Sequence, residues 1–151
     1  MAWDDLTESE KGYIAGFLDG EGSILLTRHK DNGNIRCRPV VAFYNTNLEV
    51  LDWIAGVIDV KINKRQEDTR TDVRHRRTNY TIKINKYSEV YKFLVAIRPY
   101  LRIKQTNADI VIKFIEEVVD RETYFATEEH ARIAEEYYSQ LKKITAYIGG
   151  D

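Results

Sequence analysis

Cysteine is almost missing from this sequence: Cys37 is the single one among 151 residues. A lone thiol closes no internal disulfide and lacks the company that a zinc site needs. Both kinds of staple are excluded, and the expectation is a reducing, intracellular setting with Cys37 buried or incidental. Proline is scarce too, at Pro39 and Pro99 only, while hydrophobic residues make up 43% of the chain, which argues against disorder. The three histidines, His29, His75 and His130, show no metal-ligand spacing. No apolar run approaches the ~20 residues of a membrane span, and no basic stretch followed by a long apolar one marks a secretory leader. One compact domain over residues 1–151 is expected, in the cytoplasm, nucleoid or an organelle and without a membrane partner.

Net charge is nearly absent as well, at −1, but the balance hides a division. Residues 23–86 hold 13 Lys and Arg against 7 Asp and Glu, and the remainder holds 10 against 17. Tyr44, Tyr80 and Tyr87 are interleaved with the basic residues, as suits contact with phosphates and base edges. A solvated basic surface would have the same composition.

Glycine is rare, at eight residues, yet Gly12, Gly16 and Gly20 fall in one helical pattern. Each costs a helix about 1 kcal/mol relative to alanine. Positions i, i+4 and i+8 share a face, so the three form a stripe without side chains, where another backbone can come close. The stripe runs into Asp19-Gly20-Glu21-Gly22, where a carboxylate at the negative end of a helix dipole favours a cation. Taken alone, the same residues read as ordinary turn chemistry.

Periodicity supplies the rest. After the first helix, from about Ser9, a strand is expected over Ser23 to His29, a hairpin turn at Asn32-Gly33, and a strand from Ile35 to Asn45. A helix from Leu48 to Ile58 follows Thr46-Asn47, then strands at Lys61 to Glu67 and Asn79 to Asn85. Helices are expected over Tyr87 to Ile97, Gln105 to Val119, and Glu128 to Tyr147 with Thr127 as its cap. The order αββαββα with additional C-terminal helices indicates an α+β fold, with helices on one face of an antiparallel sheet and the polar face free.

The nine residues Ile14-Ala15-Gly16-Phe17-Leu18-Asp19-Gly20-Glu21-Gly22 closely resemble the signature of the LAGLIDADG homing endonucleases, and Ser23-Ile24 continues the likeness. The resemblance implies the LAGLIDADG fold, whose sheet is a DNA-binding saddle, and site-specific double-strand cleavage that mobilises a host intron or intein. Residue-by-residue matching places Leu25, Thr27, His29, Arg36, Arg38, Tyr44, Lys64, Gln66, Arg70, Thr81 and Lys83 on the DNA side, although strand propensity alone accounts equally well for Thr27 and Thr81. Glu21 matches the metal-binding acid, usually Asp, and the Gly20 carbonyl a further ligand. Lys104 matches the active-site lysine, and Asn47 a residue that positions water, though it reads equally well as a helix N-cap. Leu51 stands where some relatives have a second basic residue.

One signature supplies one acid, so the resemblance implies a homodimer in contact through Gly12, Tyr13, Gly16, Phe17, Asp19 and Gly20, and a long, nearly palindromic target. The implied cofactor is Mg²⁺, with Mn²⁺ substituting and Ca²⁺ supporting binding without cleavage. An RNA maturase, or a non-cleaving DNA-binding protein of the same fold, is the alternative.

Overall fold

The computed structural model describes residues 3–31, 33–64, 79–122, 124 and 127–148. Helix α1 (Glu8–Glu21) starts in a capping box: the Thr7 hydroxyl accepts from the Glu10 amide at 3.1 Å, and the Glu10 carboxylate accepts from the Thr7 amide at 2.9 Å. It buries Ile14, Ala15 and Leu18 and leads directly into β1 (Gly22–Asp31). Gly33, at φ +81°, makes the tight turn into β2 (Asn34–Asn45), and Asp31 pairs with Asn34 across it.

Helix α2 (Leu48–Ile58) crosses to β3 (Ile62–Lys64), and β4 (Tyr80–Ile84) returns between β3 and β2. The antiparallel sheet has the order β1-β2-β4-β3. Helices α3 (Tyr87–Ile97), α4 (Gln105–Asp120) and α5 (Glu128–Ile148) follow. The αββαββα order and the additional helices are as the sequence indicates. Strand β1 extends to Asp31, two residues beyond the expected end; the other described ends agree within one residue, and the expected remainder of β3 after Lys64 lies outside the described residues. Gln66 and Arg70 lie outside the described residues.

Strand alternation sends Ile24, Leu26, Cys37, Val41, Phe43, Ile82 and Ile84 to the helical side, where they join the buried core. Phe93 of α3 meets Phe43 edge-on at 6.0 Å and Trp3 at 5.2 Å. Among the described residues, strand β4 pairs only with residues 41–45 of β2, and the preceding stretch of β2 has no neighbouring strand on that side. At Cys37 two side chains take the strand's place. The Cys37 amide donates to His130 Nε2 at 3.0 Å, and the Tyr87 hydroxyl donates to the Cys37 carbonyl at 2.7 Å. The expected cap of α5 is present, with Thr127 Oγ1 accepting from the His130 amide at 3.1 Å. Among the described residues no helix is long and apolar enough to cross a membrane.

Candidate nucleic-acid interface and acidic helix end

The sheet face away from the helices carries Leu25, Thr27 and His29 from β1, Arg36, Arg38, Val40, Ala42 and Tyr44 from β2, Thr81 and Lys83 from β4, and Asn63 from β3. These positions follow from the pairings Leu25 with Val40, Thr27 with Arg38, His29 with Arg36, Tyr44 with Thr81, Ala42 with Lys83 and Asn63 with Thr81. Polar groups occupy both flanks, and Leu25, Val40 and Ala42 form an apolar middle. Thr27 Oγ1 donates to the Arg38 carbonyl at 3.3 Å and meets His29 Nε2 at 3.1 Å, so part of this flank is held by its own hydrogen bonds.

Four expectations change on this face. Thr81 has the expected orientation but is only 6% exposed, because Tyr44 and Asn63 stand directly opposite it on its two sides. Arg36 is half-buried with its Nε enclosed, since the guanidinium lies against the Tyr87 hydroxyl. Burial raises the Tyr87 pKa, and the Arg36 charge works against that rise. Lys64 pairs with Tyr80, one position out of step with the free face, and Asn63 holds the place expected for it. Arg28, counted with the basic strands, belongs to the helical side, where it pairs with Glu135 at 3.3 Å and lies 5.4 Å from the centre of the Tyr138 ring.

The last turn of α1 gathers the acids and the lysine. Asp19 is buried: its Oδ2 accepts from the Arg102 amide at 2.7 Å and its Oδ1 from the Lys104 amide at 3.0 Å. This carboxylate fastens the segment before α4 inside the protomer, so Asp19 is not an exposed interface residue. Lys104 Nζ donates to the Asp19 carbonyl. Burial holds the Lys104 ammonium below the usual lysine pKa, with the Asp19 charge partly offsetting it. Glu21 is exposed and makes no hydrogen bond or ion pair among the described residues. Asn45, Asn47 and Glu21 lie at one end of the β1–β2 ladder, where Gly22 pairs with Phe43. Asn47 caps α2, its Oδ1 accepting from the Val50 amide at 3.1 Å.

The glycines divide sharply. A Cβ built at Gly12, Gly16 or Gly20 meets nothing within 4 Å, whereas at Gly22 it would stand 2.5 Å from Leu18 Cδ1 and 2.7 Å from the Ala42 carbonyl oxygen. Only Gly22 is required by packing within the protomer. Tyr13, 52% exposed, stacks on Phe17 at 6.4 Å, while half-buried Phe17 reaches Phe43.

Similar helix-covered sheets are known. The crystal structure of the homing endonuclease I-CvuI, in complex with the I-CreI target, superposes with a TM-score of 0.66 at 14% identity, over 94% of this chain and 96% of that one. The archaeal intron-encoded homing endonuclease I-Vdi141I, complexed with DNA, gives 0.64 at 20% identity, over 87% and 84%. The chain has the LAGLIDADG homing-endonuclease fold. In sequence it is 27% identical over 108 residues to the DNA endonuclease I-CreI of Chlamydomonas reinhardtii. That match spans 70% of this chain and 62% of the relative. No family model matches the chain.

The stretch that resembles the LAGLIDADG signature occupies α1 and its junction with β1, and the face expected to meet DNA is the free face of the sheet. Among the described residues no group of three or more His, Cys, Asp or Glu could hold a metal ion. At the end of α1, among the described residues, a protomer offers the free carboxylate of Glu21 and the last-turn carbonyls of the helix, Gly20's included. These are hard oxygen donors of the kind that Mg²⁺ takes, and they leave most of an octahedron to be supplied from outside the protomer. Asn63 escaped the sequence reading. Counting alternation back from Ile62, whose apolar side chain belongs with Ile82, would have found it.

Proposed function

We propose that the protein is a site-specific DNA endonuclease that acts as a homodimer on a long, nearly palindromic duplex and serves the mobility of a host intron or intein. The observation that carries this reading is the unpartnered Glu21 at the end of a glycine stripe that nothing in the protomer fills. A second copy packed along Gly12, Tyr13, Gly16, Phe17 and Gly20 would set two Glu21 carboxylates side by side over one narrow stretch of duplex. The relatives favour a nuclease over an RNA maturase: I-CreI is a DNA endonuclease, and I-CvuI has been crystallised on target DNA in the presence of Mg and of Ca.

A divalent ion bound at this acid pair, Mg²⁺ or Mn²⁺, supplies water activation and charge neutralisation at the scissile phosphate. Glu21 contributes charge and a ligand oxygen, and Gly20 its carbonyl. Lys104, steered to the end of α1 by the Asp19 carbonyl, opposes the negative charge that develops on phosphate oxygens. Asn47 has its side-chain oxygen engaged in capping and keeps its NH₂ to orient a water. Arg38, Lys83, His29 and Tyr44 bind the duplex from the saddle, with Gln66 and Arg70 assigned to the same surface from sequence.

Glu21→Gln tests the reading. The variant keeps the shape but removes the charge that holds the ion, so cleavage in Mg²⁺ is expected to disappear while binding to the target in Ca²⁺ persists or tightens slightly. Wild-type cleavage by this variant would overturn the assignment.

A further inference from the structure

The saddle contains a polar bowl of about 300 Å³ lined by Tyr44, Asn63, Thr81 and Lys83. Thr81 is its floor, and Tyr44 and Asn63, opposite Thr81 on the flanking strands, form the walls. Lys83 stands at the rim beside Ala42, whose small side chain leaves the ammonium room to move. The other flank is different in kind: Thr27 and His29 bond to each other and to the strand, and Arg36 is drawn to the sheet edge. Asn63 and Lys83 are exposed, and neither has a hydrogen bond or ion pair among the described residues. Their donors and acceptors face solvent, with no protein partner among the described residues.

Resting on the endonuclease reading, we propose that this bowl is a base-reading subsite in which Asn63 selects adenine and Lys83 selects guanine in the major groove. An amide pairs bidentately with adenine N6 and N7, and an ammonium donates to guanine O6 and N7. Asn63 and Lys83 are diagonal neighbours across β3 and β4, roughly 7–8 Å apart in backbone position, which is about two base-pair steps along a groove that a β-ribbon follows. The walls suit discrimination. Thr81, buried beneath, and Tyr44, facing Asn63 across it, restrict how the amide can turn, so a wrong base leaves polar groups unpaired in a confined space. Half-buried Leu25, beside the enclosed Val40 and Ala42, offers no hydrogen bond, and its one means of direct readout is contact with a thymine methyl group.

The test is a binding selection from a randomised duplex library without cleavage, in Ca²⁺, using the full chain. Wild type, Asn63→Ala, Lys83→Gln and, as a control on the far side of the sheet, Lys92→Ala are compared. The proposal expects Asn63→Ala to lose adenine preference at one base pair of each half-site by on the order of ten- to a hundredfold, with other positions unchanged. Lys83→Gln should exchange guanine for adenine about two base pairs away. An unchanged profile for both variants, or uniform weakening at all positions, would overturn the subsite. A wild type that binds selectively but never cleaves in Mg²⁺ would fail the endonuclease reading and leave the subsite supported if the variants shift as stated. A wild type without any sequence preference would overturn both.

Discussion

A methyl group added at Gly22 and one added at Gly16 should act in opposite directions. At Gly22 it would collide with the Ala42 carbonyl, which is main chain paired in the sheet, so α1 and β2 must separate and the loss is about 1–3 kcal/mol. At Gly16 it meets nothing, and helix propensity gives the isolated protomer about 1 kcal/mol. Urea unfolding of Gly22→Ala and Gly16→Ala at low concentration checks both. A Gly22→Ala protein as stable as wild type would show that the strand yields freely. Cys37 makes a second prediction at this scale: burial pushes its thiol up to about 11, the Arg28 charge only partly offsetting that. At pH 8 the thiolate is scarce and enclosed, so labelling by a disulfide reagent should wait for unfolding and become fast in denaturant. Rapid labelling of the native protein would contradict the packing of β2 against α5.

Elements hold one another through a few directed contacts. Arg98, just past α3, makes two bonds to the Asp109 carboxylate of α4, at 2.8 and 3.0 Å. Hydrogen bonding to Arg98 holds the Asp109 carboxyl below the usual carboxylate range. A depressed folded-state pKa contributes stability above the unfolded value of roughly 4, and that contribution is lost as pH falls through the folded value. Asp109→Asn should therefore melt earlier than wild type at pH 7, with the difference closing as the pH falls below the ordinary carboxylate range; both partners are well exposed, so the effect is small. A gap that persists in acid would assign the loss to packing instead. Helix α1 carries the other prediction: Gly16→Leu should abolish dimerisation and double-strand cutting while circular dichroism stays native, as sedimentation velocity would show.

Which elements form was legible in the sequence, because hydrophobic periodicity and caps are local. Asn47 and Thr127 announced the starts of α2 and α5 by residue type, whereas the Thr7 cap of α1 went unread. What stayed hidden depends on pairing across distance. Asp19 reads as one more acid in a row until the segment before α4 folds against it, and Arg28 as one more saddle cation until α5 packs on β1. Lys64 and Asn63 differ by a single step of register, which only the partner strand decides.

For the molecule as a whole, the free sheet face carries Arg36, Arg38 and Lys83 among the described residues, and α5 lies on the other side of the sheet. Charge removal should matter on one of the two sides: Arg38→Ala is expected to weaken duplex binding and lower the salt slope by about one, and Lys142→Ala, on α5, to change neither. Equal slopes for both variants would remove Arg38 from the DNA face. The bonds from Tyr87 and His130 to Cys37 also restrict how copies of this chain can meet. A bare strand edge is a template for another chain's strand, and through it for fibrous growth. Here the Cys37 carbonyl and amide, in the middle of that stretch of β2, are already occupied by a phenol and an imidazole. Replacing either ring with alanine would reopen that edge, and the mutant's fault would be precipitation on concentration rather than a defect in cutting.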